Sequence, residues 1–592
     1  MKLYYLPIGN QTYTDRSDYY ARFVLKKQLL DAALWQKFVE VFRTREDAAD
    51  HGWRGEYFGK MMRGACLTYR YLKDERLYAL LEQTVRDLIA TADEKGRIAT
   101  YPEEHELCGW DLWCRKYVLV GCLYFYEICK DEKLKGEILA AMCRHLDAIE
   151  SKIGEGKISI TATSEWYGGM NSSSILEPVV ELYALTKEPR YLALAEHILK
   201  AGGCRDGNLF DAVRNGTLPH EFPTTKAYET TSFFEGALAY YEVTGKEEYL
   251  DLAERFSDLV ADNEITVIGC AGCKNEHFDH AVEKQTERYP NKYIMQETCV
   301  TVTWMRLQER LLRVTGKAKY ADRIERSALN AMYGALNLYG EAQYCKEEKK
   351  RLAGVPFDSY SPLVAAPRGI GIGGYKKIAS GGFYGCCACI GAAGIALYPL
   401  SSALSSEDGV TISFYHAGTL SFKTKDGTEV TIESTGDLAD GGFSFTVQAD
   451  RESEFTLSFR IPVWSSCPSL ELNGEPFSVG EGYAEITRTW KAGDKVTLDL
   501  HPLLMQEEKN GRVAMLYGPF VLARDQAKES FFAPRKVAKN KPVSYQKVRV
   551  EGEERVRLLV TAGGTFTMTD YASCGKHWTR RRNRITVWQK QK

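Results

Sequence analysis

Three cysteines in four positions, Cys386, Cys387 and Cys389 within Tyr384-Gly-Cys-Cys-Ala-Cys-Ile-Gly391, are the densest group of reactive side chains in the sequence, and Gln296-Glu-Thr-Cys299 lies upstream. Thiolates and carboxylates are ordinary zinc ligands. The vicinal pair and the Glu-x-Cys pair therefore supply four of them: Cys386, Cys387, Glu297 and Cys299. Structural zinc sites usually draw on two spaced cysteine pairs. A carboxylate in one position and two adjacent ligands depart from that pattern and leave open a chemical role for one thiolate, which beside a metal can be a nucleophile as well as a ligand. On sequence grounds Cys389 competes with Cys387 for a ligand position. The plain alternative for each cysteine is a small apolar side chain in a core. Cys270 and Cys273 form a Cys-x2-Cys pair with no second pair of matching spacing, so they read as loop or core cysteines.

Such ligands must be held by larger elements, and the first four hundred residues repeat one phrase. Leu67 to Tyr78, Leu123 to Leu134, Leu182 to Tyr191, Tyr240 to Tyr249 and Leu311 to Tyr320 each combine a helix ending, a short polar turn and an aromatic or leucine opening the next helix. The stretches that follow, such as Tyr249-Leu-Asp-Leu-Ala-Glu-Arg-Phe-Ser-Asp-Leu-Val260, carry apolar residues at helical spacing. Five such hairpins, and a sixth beginning with the helix near Ala21 to Phe42, predict a closed (α/α)6 barrel, with an open superhelix as the rival. The long connections favour closure because they carry functional residue types. They are His51 to Tyr57, Cys108 to Trp113, Ser164 to Gly169 and Lys226 to Thr231. Trp110, Asp111, Arg115, Tyr228 and Glu229, from or beside them, are the candidate sugar-binding residues.

After Ser405 the pattern changes to short runs of period two: Val410 to Tyr415, Thr428 to Glu433, Phe443 to Gln448, Phe455 to Arg460 and Lys495 to Leu500. Asn473-Gly474 is a hairpin signal. The expected organisation is α then β: a barrel over 1–404, a β-sandwich over 405–510 and a second, smaller β domain over 511–592. The basic run Arg580 to Arg584 precedes a strand-like stretch and reads as a solvated turn.

Composition narrows the partners. The 77 Lys and Arg against 79 Asp and Glu give a formal charge of −2, a balance in which nothing suggests a nucleic acid or an anionic membrane as partner. Aromatics at 12%, with 35 Tyr and 10 Trp, suit a cleft that stacks sugar rings. No apolar run has membrane-spanning length, and the N-terminus lacks a secretory pattern. The 16 cysteines lack the spacing of a disulfide framework, so a reducing cytoplasm is expected. A glycoside or oligosaccharide is the expected partner, and the oligomeric state stays open between monomer and homodimer.

Cys270-Ala-Gly-Cys-Lys-Asn-Glu-His-Phe278, Gln296-Glu-Thr-Cys299 and Cys386-Cys387, in that order on a helical repeat followed by β-sandwiches, resemble glycoside hydrolase family 127, the β-L-arabinofuranosidase family. The likeness spans nearly the whole chain. It implies a retaining hydrolase with zinc held by Glu297, Cys299, Cys386 and Cys387, Cys386 as the nucleophile and Glu276 as acid/base. There are departures. The family follows the vicinal pair with Pro-Pro-Asn where this chain has Ala388-Cys-Ile390. Its sugar-contacting histidines correspond to Tyr117, Ser172 and Glu235. Arg115 and Lys116 near Trp110 and Asp111 suit a substrate carboxylate, so the resemblance extends to an acidic pectin furanoside of the aceric-acid type. Two other functional classes compete: a barrel epimerase or lyase using His277, His280 or Tyr228, and a non-catalytic carbohydrate-binding protein with structural zinc.

Overall fold

The repeated phrase builds helical hairpins whose ends are fixed locally. Asp31, Asp74 and Asp131 cap outer helices by accepting hydrogen bonds from backbone amides two or three residues on. Inner helices stop at left-handed residues, Lys73, Lys187, Gly245 and Gly316, where the polar turns of the repeat fall. The computed structural model describes residues 2–47, 52–272, 276–287, 296–345, 349–369, 376–377, 383–529, 536–539, 542–578 and 581–592. Cys273 and Arg580, named in the sequence motifs, lie outside the described residues.

The inner helices are Glu56–Leu72, Asp111–Ile128, Leu176–Thr186, Ala227–Thr244, Thr298–Thr315 and Cys386–Leu400. Each packs on the next and the last on the first, so the ring closes into the (α/α)6 barrel. Outer helices such as Glu75–Ile89, Glu132–Glu150 and Glu247–Glu264 bury one stripe and expose the other. The inner helices are buried on nearly every face. Close backbone approach makes this possible. A Cβ at Gly59 would stand 2.0 Å from the Tyr117 carbonyl oxygen, and one at Gly64 would stand 2.8 Å from the Ala393 nitrogen, where the last inner helix meets the first.

Below its mouth the barrel is filled with polar groups as well as apolar ones. Arg306 donates to Glu177 at 2.6 Å and to Glu235 at 3.0 Å, and Lys116 donates to Ser174 at 3.2 Å and Ser232 at 2.6 Å. Burial pulls Lys116 down to about 7.

Two packed sheets follow the barrel. One runs Tyr4–Tyr5, Ala403–Ser405, Gly409–Ile412, Ser453–Ile461, Gly482–Trp490, and the other runs from Glu475–Phe477 through Gly442–Ala449 to Gln11–Tyr13. The chain thus starts in the sandwich, with one short N-terminal strand on an edge of each sheet. Asn473 and Gly474, both left-handed, turn Ser469–Leu472 into Glu475–Phe477. A third sheet begins at Leu504–Lys509, continues through Thr565–Asp570, and takes in Ala366–Pro367 through pairing with Arg584–Thr586.

Arg460 ties barrel to sandwich. Fully buried on strand Ser453–Ile461, it donates to Asp322 at 2.7 Å and Glu325 at 2.5 Å on the outer helix Ala318–Arg326, and Trp464 donates to Glu325 at 2.7 Å. Burial pushes both carboxyls up, and the guanidinium opposes that. Arg460→Met removes one partner and strands the buried Glu325 and the partly buried Asp322, so denaturant unfolding should lose about 3 kcal/mol or more. A loss under about 1 kcal/mol would assign the interface to apolar contacts alone. Lys116 yields a pH test. Its folded pKa lies below its unfolded value, so its contribution to stability is present at high pH and is lost as pH falls toward 7. The unfolding midpoint of wild type should therefore fall relative to Lys116→Met between pH 10 and pH 7, and parallel profiles would refute the assignment.

Candidate active site

The six inner helices run parallel and present their N-termini to one mouth, where residues from five of them line a cavity of about 500 Å³. Glu56 opens the first inner helix, Trp110 and Trp113 flank the start of the second, and Tyr228 and Glu229 stand in the first turn of the fourth. Glu297 and Cys299 begin the fifth, and Cys386 and Cys387 are the first two residues of the sixth. Unpaired amides at helix N-termini favour anions, so this end of the ring suits thiolates and carboxylates.

The sulfurs and carboxylate expected to gather do so. One ligand atom from each of Glu297, Cys299, Cys386 and Cys387 lies within 4.8 Å of the others. Cys387 Sγ stands 3.4 Å from Cys299 Sγ, 3.6 Å from Glu297 Oε1 and 3.9 Å from Cys386 Sγ. Cys389 is not in this group: it is buried within its helix, its amide bonded to the Gly385 carbonyl. Glu297 is fixed from behind by pairing with Tyr360 and by Thr298, whose hydroxyl donates to the Asp358 carbonyl at 2.6 Å. Cys270 sits in that wall, accepting from the Thr301 hydroxyl at 2.6 Å.

The electrostatics describe a site short of positive charge. Hydrogen bonds from the Cys299 and Cys387 thiols hold Cys386 well below the ordinary thiol range, with the Lys60 ammonium helping against burial. Burial pushes Cys299 and Cys387 up. Burial also pushes Glu297 up, reinforced by the charges of Glu276 and Cys386, and its Oε2 is buried without a hydrogen-bond partner among the described residues. Three sulfurs and an orphaned carboxylate oxygen in one small volume are a donor set that fits a divalent cation.

Glu276 enters the same cavity from a loop, in a left-handed conformation (φ 66°) and about a third exposed. Its carbonyl accepts from the Ala227 amide at 3.0 Å, and the Phe278 amide donates to Thr225 at 2.7 Å, docking the loop on the fourth inner helix. Beyond it, the buried Glu264 carboxylate accepts the amides of Asp279, His280 and Ala281 at 3.0–3.1 Å. The Lys226 ammonium contacts the Glu276 carboxylate. Burial works against Lys226, but Glu276 and Glu229 outweigh it and hold its pKa up.

Of the expected sugar-binding residues, Trp110, Tyr228 and Glu229 line the cavity. Glu229 is raised by burial and its Oε2 lacks a hydrogen-bond partner among the described residues. Asp111 and Arg115 require correction. Both are fully buried and outside the cavity lining, standing 3.7 Å from each other in the barrel wall, with Arg115 also 3.7 Å from Glu106. Lys116, Tyr117, Ser172 and Glu235 are likewise not among the lining residues, and neither is His277 or His280. His280 is stacked on His220 instead, ring centroids 4.4 Å apart.

Several lining residues were not named individually from sequence, although Trp53, Glu56 and Tyr167 lie on connections that were. Glu56 accepts from Trp113 Nε1 at 2.5 Å and pairs with Lys60 at 3.0 Å, and the Lys60 ammonium lies 4.6 Å from the centre of the Tyr228 ring. Tyr167, whose ring lies 5.2 Å from the Lys226 ammonium, and Trp53 complete the aromatic wall. The available signal was position: each lies within about one turn of an inner-helix start or in the loop leading to it.

Comparison with known proteins agrees with this architecture. Residues 12–345 match the model of the β-L-arabinofuranosidase GH127 catalytic domain, and residues 409–502 match that of the GH127 middle domain. The non-reducing end β-L-arabinofuranosidase of Bifidobacterium longum is 22% identical over 529 residues, which cover 79% of this chain and 74% of the relative. A GH127 β-L-arabinofuranosidase from Geobacillus stearothermophilus T6 shares the fold at a TM-score of 0.74 and 18% identity, over 98% of this chain and all of that one. A second GH127 β-arabinofuranosidase structure does so at 0.75 and 17% identity, over all of this chain and 98% of the other. No described helix is long and apolar enough to cross a membrane. With the catalytic-domain model alone spanning more than half of its length, the chain belongs to the GH127 β-L-arabinofuranosidase family and is a glycoside hydrolase.

Proposed function

We propose that this chain is a retaining β-L-arabinofuranosidase in which Cys386 is the nucleophile and Glu276 the acid/base, with zinc held by Glu297, Cys299, Cys386 and Cys387. The observation that carries this reading is that Cys386 and Glu276 line one cavity, and that Cys386 is the member of the sulfur cluster that is only half-buried. When bound, zinc would supply positive charge that keeps the sulfurs deprotonated and makes a sulfur–carbon bond easier to break.

In the first step Glu276 donates its proton to the glycosidic oxygen as Cys386 Sγ attacks the anomeric carbon. The carbon–oxygen bond breaks, the carbon–sulfur bond forms and the leaving group departs as a neutral alcohol. In the second, the Glu276 carboxylate removes a proton from water, the water oxygen attacks the same carbon and the thiolate is restored. Lys226 steadies the Glu276 carboxylate, and the Glu264 anchor fixes the loop that carries it.

For the substrate, the reading is a neutral arabinofuranoside, after the activity named for the relatives. The acidic pectin furanoside loses its support because Arg115 is buried against Asp111 in the barrel wall and Lys116 is bonded to Ser174 and Ser232 below the cavity, neither among its lining residues. The ammonium groups that line the cavity, Lys60 and Lys226, are already paired with Glu56 and Glu276. Every cysteine whose side chain is described is a free thiol, which suits a reducing compartment such as the cytoplasm.

Cys386→Ser should lower kcat by at least about a thousandfold on an aryl arabinofuranoside, and the first-formed sugar should keep its anomeric configuration by NMR. Substantial turnover by the serine variant, or an inverted product, would remove the nucleophile. Glu276→Gln should cost about 100-fold or more with an alkyl leaving group and far less with a nitrophenyl one, which needs no proton. Equal losses would deny it the acid role. Purified protein should contain about one zinc per chain, and a strong chelator should remove zinc and activity together, both returning on zinc addition. Full activity in metal-free protein would exclude a catalytic metal.

A further inference from the structure

Trp166 stands beside the cavity and is not among the residues that line it. Trp166 is 37% exposed, and among the described residues it is the tryptophan left most open to solvent. Its ring is stacked on that of Trp110, with centroids 6.5 Å apart and planes 30° from parallel. Trp110 in turn lines the cavity and meets Trp53 at 6.5 Å and Trp113 at 5.6 Å. The aromatic wall therefore continues from beside the sulfur cluster out over the rim.

The backbone is built to hold this arrangement. Tyr167 (φ 50°, ψ 37°), Gly168 (φ 62°, ψ 24°) and Gly169 (φ 85°, ψ 9°) are three consecutive left-handed residues. An aromatic residue in that conformation is strained, and such strain is retained where the placement of a side chain is needed. The turn holds two neighbouring rings 6.3 Å apart, both against Trp110: Tyr167 lines the cavity, 5.2 Å from the Lys226 ammonium, and Trp166 is the more exposed of the two. It is anchored on every side. The Arg205 amide donates to the Gly168 carbonyl at 2.9 Å, Asn171 donates to the Gly109 carbonyl at 2.9 Å, and a Cβ at Gly169 would stand 2.3 Å from the Thr161 carbonyl oxygen. Glu165, next to Trp166, accepts from the Gly109 amide at 3.4 Å and ties this loop to the one that carries Trp110.

A flat, rigid aromatic face beside a glycosidase cavity matches the apolar C–H face of a sugar ring. We infer that Trp166, with Trp110, forms a stacking platform for sugar units beyond the cleaved bond, so that the preferred substrate is an arabinofuranosyl oligosaccharide rather than a glycoside with a small aglycone. This rests on the proposed function for the direction of the chain: the terminal furanose enters the cavity and the leaving-group sugars lie across the rim.

The test compares an oligosaccharide carrying at least two sugars beyond the scissile bond with nitrophenyl arabinofuranoside, for wild type, Trp166→Ala and Trp166→Phe. The preference of wild type for the oligosaccharide, as a ratio of kcat/KM values, should drop about tenfold in Trp166→Ala, chiefly through KM, and Trp166→Phe should recover most of it. Proportional losses on both substrates would mark Trp166 as a structural residue, and unchanged ratios would leave the platform without a role; either overturns the inference. If wild type hydrolyses neither compound, the proposed function fails, and the platform is then read by titrating the oligosaccharide against tryptophan fluorescence. Equal affinity of wild type and Trp166→Ala in that titration would overturn it independently.

Discussion

The constraint on which the rest of this structure depends is the parallel orientation of six buried helices closed into a ring. Each hairpin returns the chain to the same end, so six N-termini converge and six C-termini gather at the other face. At the converging end, amides without intrahelical partners and the partial positive charge of each helix meet in a space of about 500 Å³. Carboxylates and thiolates at the first helical positions are favoured there, and the sequence puts Glu56, Glu229, Glu297, Cys299, Cys386 and Cys387 at or near those positions. The catalytic architecture is in this sense a consequence of topology. It could not be moved one turn down the helices without losing the field that favours it.

What the sequence made legible is what is local or repeated. The turn phrase marks helix ends because Asp caps and left-handed Gly or Lys act over a few residues, and its recurrence exposes the hairpins. The four residues of the sulfur cluster were readable because chemical type alone sets them apart. Facing directions were less so. Trp110 and Asp111 are adjacent in sequence, yet a helix turns about 100° per residue. Trp110 and Trp113 share the cavity face, whereas Asp111 and Arg115, four apart, share another and meet each other in the wall. A basic residue near a tryptophan in sequence was therefore a poor guide to what the cavity contains. The N-terminal strands were hidden for a different reason: at two and three residues, Tyr4–Tyr5 and Gln11–Tyr13 are too short for periodicity, and their partners lie some four hundred positions away.

The barrel interior is polar as well as apolar below the cavity. Below the cavity floor Arg306 donates to Glu177 and Glu235 and Lys116 donates to Ser174 and Ser232, with Glu177 Oε2 left without a hydrogen-bond partner among the described residues, and the Tyr117 hydroxyl meets that of Tyr228 at the boundary between these groups and the site. Tyr228 thus faces both ways. Its ring lies under the Lys60 ammonium in the cavity, and its hydroxyl belongs to the packed interior. Such a network fixes the register of the inner helices more sharply than interchangeable aliphatic contacts would, and the placement of first-turn residues depends on that register.

The balance of charge in the cavity carries the argument furthest. Four lining carboxylates, Glu56, Glu229, Glu276 and Glu297, and the half-buried Cys386 face two ammonium groups, each already engaged. Burial raises Glu56, Glu229 and Glu297 together, so without further positive charge the site must hold protons on groups that would otherwise ionise. A divalent cation at the sulfur cluster would release protons from the very groups that ligate it, linking its affinity to pH. It would also leave the more distant Glu276 free to exchange a proton with substrate and water. The lysines cannot substitute for that cation, because Lys60 is drawn to Glu56 and the aromatic faces, and Lys226 to Glu276. The spacing of the two ammonium groups thus reserves the charge deficit for one place, beside the half-buried Cys386.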